Sequence, residues 1–119
     1  MDIKKAFEIN RKTWNNKVAV HAKSDFYNLE EFKNGKSSLN NYEIAALGDV
    51  ANKSILHLQC HFGQDTLSWA RMGADCTGID LSEEGIKLAK ELNKELGMKS
   101  NFLCCNVLDV SKHLNTKFD

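Results

Sequence analysis

Residues 55–66, ILHLQCHFGQDT, decide the fold. The apolar run Ile55–Leu58 has the length and residue types of a buried β-strand, and a helical pattern begins at Thr66. A tight turn that contains Gly63 joins the two. Because a strand that passes through a short turn into a helix is the first half of a βαβ crossover, this stretch predicts a parallel sheet.

The same alternation continues toward the C-terminus. After a helix over Thr66–Met72, the pattern predicts a strand over Cys76–Ile79, a helix over Glu83–Leu96 and a strand over Phe102–Cys105. Ser82 stands before the second helix as a typical N-cap. The predicted fold class is therefore α/β, with three parallel strands joined by right-handed crossovers.

The first part of the chain has a helical pattern instead. Over residues 3–20, apolar and aromatic residues such as Phe7 and Trp14 recur with three-to-four spacing and form a stripe along one helix face. Asn10 is the one polar exception in this stripe. This stripe predicts one amphipathic helix.

Two shorter helices are predicted between that helix and the first strand. Asn28 and Glu31 have the spacing of a capping box for a helix through Phe32, and a brief helix is stopped by Gly48. These pieces are too small to form a domain of their own.

Composition excludes several classes of function. The 119 residues carry 16 basic and 16 acidic side chains, so the net charge is zero, and 42% of the residues are apolar. This is the composition of a globular chain with a single core. No run of Lys and Arg is longer than a pair such as Lys4-Lys5, so we expect no nucleic-acid and no membrane partner. Without a signal-peptide or membrane-spanning pattern, we expect the chain to be cytoplasmic.

The cysteines indicate neither a disulfide framework nor a metal site. Their apolar surroundings predict buried, reduced thiols. His57 and His61 could join some of them as zinc ligands, but His57 lies on a predicted strand and no paired CxxC is present, so we predict no metal site. The four cysteines are Cys60, Cys76, Cys104 and Cys105.

The carboxyl ends of the predicted strands are where a site should form, because open parallel sheets bind ligands there. The turn at Gly63 leads into a helix whose N-terminal N–H groups can bind an anionic group. The second strand ends at Asp80, whose carboxylate can accept hydrogen bonds from both hydroxyls of a ribose. These features together predict a site for a nucleoside cofactor.

Three stretches resemble the motifs of class I S-adenosylmethionine-dependent methyltransferases. Residues 55–66 are similar to the first motif, residues 77–82 (TGIDLS) to the second, and residues 102–109 occupy the place of the third. Residues 10–15 and 57–63 add a resemblance to a bacterial branch of small-molecule methyltransferases. The resemblance implies a Rossmann-like sheet, S-adenosylmethionine as the cofactor and a small-molecule methyl acceptor.

The first motif departs from the family pattern. His57, Gln59 and His61 stand where the family has an acid and two glycines, and only the third glycine is present, as Gly63. Asn106 stands where the family often has an Asp that binds the adenine amino group, and its amide oxygen can accept the same hydrogen bond. No catalytic residue is predicted. The resemblance implies cofactor contacts by His57, Gln59, His61, Phe62, Gly63, Asp80, Leu81, Asn106 and Val107.

The resemblance also divides the chain. In the family the segment before the first strand lies over cofactor and substrate, so residues 1–53 are expected to form a helical cap or lid. Residues 54–119 are expected to form the N-terminal half of a Rossmann-like cofactor-binding domain. Trp14, His21 and Tyr27 are candidates for lid or substrate contacts, with core packing as the alternative.

Other functions stay open at this point. A nicotinamide-binding Rossmann site also has an acid at the end of its second strand, although it would require glycines at positions 59, 61 and 64. The resembled domain has more than three strands, so we expect a fragment that is inactive alone. The remaining alternative is a binding or assembly module in which the first strand, at the sheet edge, pairs with a second copy to form a homodimer.

Overall fold

A computed structural model describes residues 2–24, 26–114 and 116–119, and the side chains of these residues except for those of 18–24 and 26–28. Helices precede the sheet, and strands alternate with helices from residue 54 onward. The elements in chain order are α1 (Ile3–Ser24), α2 (Phe26–Lys33), α3 (Asn41–Leu47), β1 (Ser54–His57), α4 (Gln64–Arg71), β2 (Asp75–Asp80), α5 (Glu83–Glu95), β3 (Asn101–Cys104), a 3₁₀ turn (Val107–Asp109) and α6 (Val110–His113).

The three strands form one parallel sheet in the order β1-β2-β3. Ile55 pairs with Cys76 and Gly78 with Phe102, so β2 lies in the middle and is buried over most of its length. The prediction of an α/β fold with parallel strands is therefore confirmed. All three strands point their carboxyl ends to the same edge of the sheet.

Strand β1 lies at one edge of this sheet, as expected from the family's strand order. The N–H of Asp119 donates to the carbonyl oxygen of Ser54 at 3.0 Å, and the Asp119 carboxylate accepts from the N–H of Ser54 at 2.8 Å. The start of β1 thus already has a partner in the same chain. Pairing of two copies through the rest of this edge stays a prediction.

Apolar residues of both crossover helices pack on the sheet. The buried stripe of α5, Ile86, Ala89 and Leu92, lies against Phe62 and Phe102. Phe62 is only 5% exposed and Trp69 only 6%, which confirms that both pack in the interior. Helices α4 and α5 each begin from the turn that follows a strand, at the carboxyl edge of the sheet.

Two helix boundaries differ from the sequence-based prediction. The capping box at Asn28 and Glu31 was a wrong interpretation, because α2 already begins at Phe26 and Asn28 has a helical backbone, which a capping residue does not adopt. Helix α1 extends to Ser24, beyond the predicted end at residue 20, since no Gly or Pro interrupts it there. The predicted cap of α5 by Ser82 is confirmed, since its hydroxyl accepts from the N–H of Gly85.

The cysteines are free thiols, and burial raises the pKa of Cys60 to about 12. Cys60, Cys76 and Cys105 are buried as predicted, but Cys104 is exposed. Cys104 is the last residue of β3, at the carboxyl edge of the sheet. Its sulfur lies 3.5 Å from the carbonyl oxygen of Leu81.

None of the helices in the described ranges combines the length and the apolar character that crossing a membrane requires.

Candidate cofactor site

A cavity of about 460 Å³ lies where the carboxyl ends of the three strands meet helix α1. Each strand contributes residues from its carboxyl end or from the turn that follows it, and α1 contributes one wall. The cavity is lined by Phe7, Asn10, Trp14, Gln59, His61, Asp80, Leu81, Asn106 and Val107. Six of the nine predicted cofactor contacts, and Trp14 of the predicted lid residues, are thus brought together.

The turn after β1 has an unusual backbone. Gln59 and His61 have φ values of 57° and 56°, in the left-handed region that favours glycine, and Gly63 follows with a φ of 88°. The turn is held by hydrogen bonds from the N–H of Cys60 to the carbonyl oxygen of Ile79 at 2.8 Å and from the N–H of Gly63 to the carbonyl oxygen of Cys60 at 3.0 Å. The backbone thus adopts the conformation of a glycine-rich turn although two of the residues carry side chains, at a cost of about 1–2 kcal/mol for each.

Gly63 is the position in this turn where a side chain would be crowded by its neighbours. A Cβ atom there would lie 3.0 Å from the Cβ of Ala89 and 3.0 Å from the ring of Phe102. Helix α4 begins directly after Gly63, and no side chain caps it. Its first N–H groups are therefore of the kind that bind anions.

Asp80 is held in a fixed orientation at the end of β2. One carboxylate oxygen accepts from the N–H of His61 at 2.8 Å, and the other accepts from the N–H of Ser82 at 2.9 Å. Each carboxylate oxygen can accept more than one hydrogen bond, so Asp80 retains accepting capacity toward the cavity that it lines. The same side chain ties together the first and the second strand-end turns.

The third strand end contributes Asn106 and Val107. The amide oxygen of Asn106 accepts from the N–H of Leu108 at 2.9 Å and so caps the 3₁₀ turn. One of its two lone pairs is used in this way, and the other remains for a ligand. Both residues line the same cavity as His61.

Helix α1 supplies the aromatic wall of the cavity. The ring of Trp14 lies edge-on to the ring of His61, with 6.0 Å between the ring centres. Phe7 and Asn10 line the same wall. Phe7 and Asn10 were not predicted as site residues. Both lie on the same helical stripe as Trp14, and Asn10 is the one polar residue in that stripe, so the sequence did contain a signal for them. The side chains of His21 and Tyr27, the other lid candidates, lie outside the described residues.

A comparison of the sequence with known families decides what this arrangement belongs to. A family profile described as a methyltransferase domain matches residues 55–119, from β1 to the last residue. The chain belongs to the methyltransferase-domain family. The match covers all three strands and every strand-end residue that lines the cavity.

Known relatives of this methyltransferase-domain chain agree with the match. The ubiquinone biosynthesis O-methyltransferase of Chromobacterium violaceum is 33% identical over 70 residues, which are 59% of this chain and 30% of that protein. The protein of the same name from Psychrobacter cryohalolentis is 42% identical over 60 residues, 50% of this chain and 23% of that one. The chain thus spans less than a third of the length of these curated relatives.

A comparison with solved structures concerns the fold. The crystal structure of an S-adenosylmethionine-dependent methyltransferase from Clostridium acetobutylicum superposes with a TM-score of 0.57 at 18% identity, over 90% of this chain and 42% of that one. This likeness shows the fold. The Rossmann-like methyltransferase fold expected from the motifs is therefore confirmed.

Three predicted cofactor residues of this methyltransferase-domain chain lie away from the main cavity. Nδ1 of His57 lies 2.6 Å from the hydroxyl oxygen of Thr66, and burial lowers the pKa of His57 below its ordinary value, although Asp65 acts in the opposite direction. Phe62 and Gly63 pack in the interior. All three line a smaller cavity of about 160 Å³ on the turn.

Proposed function

We propose that this chain binds S-adenosylmethionine in the 460 Å³ cavity and supplies the cofactor-binding half of an enzyme that methylates a small molecule. The observation that carries the proposal is the Asp80 carboxylate, fixed by two backbone N–H groups at the edge of the cavity. A carboxylate at the end of the second strand is suited to accept both hydroxyls of a ribose.

The other strand ends fit the remaining parts of the cofactor. The uncapped first turn of α4 lies on the smaller cavity, which shares Gln59 and His61 with the main one, and there it offers N–H groups to the carboxylate of the methionine part. At the third strand end, Asn106 and the N–H of Val107 are suited to the amino group and a ring nitrogen of adenine. When bound, the cofactor would supply the methyl group and the positively charged sulfur that makes it reactive.

The two residues that replace glycines do not argue against this function. Gln59 and His61 keep the left-handed backbone that glycines would have, so the path of the turn is preserved. Their side chains line the cavity, and we therefore assign them contacts with the cofactor. His57, which replaces the family's acid, instead supports the turn through Thr66.

Methyl transfer from a sulfonium centre requires chiefly alignment of the acceptor and exclusion of water, and these need no base from this chain. Phe7 and Trp14 supply an apolar wall beside the strand ends. A small-molecule acceptor is supported by the two relatives named for ubiquinone biosynthesis. The balanced charge of the chain offers no basic face to a nucleic acid.

Calorimetry with S-adenosylhomocysteine tests the proposal. We expect binding to the unmodified protein, and we expect Asp80→Ala to weaken it about ten- to a hundredfold, since a hydrogen bond to a charged group contributes about 1.5–3 kcal/mol. Asp75→Ala is the matched control, because Asp75 is an exposed carboxylate at the other end of β2.

Two results would contradict the proposal. One is binding of a nicotinamide dinucleotide with no binding of S-adenosylhomocysteine, which would identify a different Rossmann-type site. The other is unchanged binding by Asp80→Ala, which would remove the ribose contact.

A further inference from the structure

Helix α1 is attached to the first turn of α5 through one asparagine. The amide oxygen of Asn15 accepts from the hydroxyl of Ser82 at 2.6 Å and from the N–H of Glu84 at 3.3 Å. The Ser82 hydroxyl in turn accepts from the N–H of Gly85 at 3.0 Å. Asn15 thus acts as a second cap for α5, contributed by a helix that lies 67 residues earlier in the chain.

This attachment continues directly to the cavity. The backbone N–H of Ser82 donates to Asp80, and the other oxygen of Asp80 accepts from the N–H of His61. Trp14, the neighbour of Asn15, lies edge-on to the ring of His61. Two adjacent residues of α1 therefore contact both of the turns that Asp80 holds together.

We propose that Asn15 is a positioning residue that docks α1 over the cavity and links this docking to the orientation of Asp80 through Ser82. The inference rests on the proposed function in one respect, namely that the cavity binds an adenosyl ligand. Because Trp14 and Phe7 of α1 form a wall of that cavity, a bound ligand stabilises the docked helix, and the docked helix stabilises the bound ligand.

The contacts around Asn15 show why this residue, and not its neighbours, controls docking. Ser82 is fully buried, so loss of Asn15 leaves its hydroxyl proton without an acceptor in the interior. The ion pair between Arg11 and Glu83, at 2.6 Å, also joins α1 to α5, but the Glu83 side chain is 61% exposed. Exposed ion pairs contribute little, and salt screens them further.

Hydrogen exchange of the ligand-free protein tests the docking without any assumption about the ligand. In Asn15→Ala, we expect the amides of residues 3–17 and of the first turn of α5 to exchange about five- to tenfold faster, while those of β2 keep their rate. Asn16→Ala is the matched control, because Asn16 is the next residue and is exposed. Asn15→Asp keeps the accepting oxygen and should restore most of the protection.

Binding of S-adenosylhomocysteine then tests the link to the cavity. We expect Asn15→Ala to weaken binding about five- to tenfold and to reduce the protection that the ligand gives to α1, whereas Asn16→Ala leaves both unchanged. Unchanged exchange in Asn15→Ala, or equal effects of the two alanine variants, would overturn the proposal. Absence of binding by the unmodified protein would count against the proposed function, and the ligand-free exchange would still decide whether Asn15 docks α1.

Discussion

Helices α4 and α5 both begin where a strand ends, yet their first turns are built differently. Helix α4 follows a left-handed Gly63 and has no side-chain cap. Helix α5 follows Ser82, and its N–H groups are accepted by the hydroxyl of Ser82 and the amide oxygen of Asn15. Since the first N–H groups of a helix need acceptors, those of α5 are used in the protein's own packing, whereas no side chain caps those of α4.

The difference extends to the backbone of the two turns. In the turn before α4, every second residue (Gln59, His61 and Gly63) has a left-handed backbone. In the turn before α5, Ser82 has an ordinary extended conformation. Asp80, which lies at the start of the turn before α5, stabilises the strained turn before α4 because its carboxylate accepts a hydrogen bond from the N–H of His61. The turn with the strained backbone is thus held by a side chain from a turn whose backbone is unstrained.

The largest expected effect comes from Gly63→Ala. The new Cβ would lie 3.0 Å from Ala89 and Phe102 and would sit on a backbone with a φ of +88°. We expect a loss of about 2–4 kcal/mol in the free energy of unfolding, from about 1 kcal/mol of backbone strain and about 1–3 kcal/mol of overpacking.

Chemical denaturation measures this loss, and Gly97→Ala separates its two parts. Gly97 has a φ of +66° and no atom within 4 Å of the position that a Cβ would take. The Gly97→Ala variant should therefore lose about 1 kcal/mol of unfolding free energy, from backbone strain alone. If both variants lost the same amount, the close packing of the α4 turn would not be what requires glycine there.

A smaller effect of opposite sign is expected for Gln59→Gly and His61→Gly. Each substitution removes the strain of a left-handed side-chain-bearing residue, but glycine also makes the unfolded chain more flexible, which offsets part of the benefit. We therefore expect the free energy of unfolding, measured by thermal or chemical denaturation, to rise by about 0.5–1 kcal/mol. Asn52→Gly is the control, because Asn52 has a φ of 63° but asparagine tolerates this conformation better. A loss of stability at positions 59 and 61 would show that their side-chain contacts outweigh the strain.

The smallest effect concerns pH and His57, which precedes the strained turn. Burial lowers the pKa of His57 in the folded protein, so below about pH 6.5 the unfolded chain binds this proton more readily. Stability should therefore fall as the pH decreases from 6.5 toward the lowered pKa. We expect His57→Gln to reduce this dependence, and His113→Gln, at an exposed position, to leave it unchanged in urea titrations at several pH values. A His57→Gln variant with the original pH dependence would contradict the role of burial.

The sequence was informative where the signal is local. The period of the α5 stripe and the Ser82 cap predicted that helix, and the alternation of apolar runs with helical patterns predicted the parallel sheet. Asp80 was singled out because it ends a strand, and the structure places it at the cavity. These features depend on residues a few positions apart.

Features that depend on distant residues were not predicted. The hydrogen bond between Asn15 and Ser82 joins residues 67 positions apart, and nothing in the local pattern distinguishes Asn15 from Asn16. The left-handed backbone at Gln59 and His61 is imposed by packing and by Asp80 against the preference of both residue types. The exposure of Cys104 likewise depends on what covers the end of β3.

Whether the cavity beneath α1 binds an adenosyl cofactor is tested most directly by mapping backbone amide chemical shifts during titration with S-adenosylhomocysteine. We predict that the amides of His61, Leu81 and Val107, one from each strand end, shift together and saturate at one ligand per chain, while the amide of Gly97 at the far end of α5 stays unchanged. The absence of shifts at these three amides, or shifts confined to residues outside the cavity, would contradict the assignment of this cavity as the cofactor site.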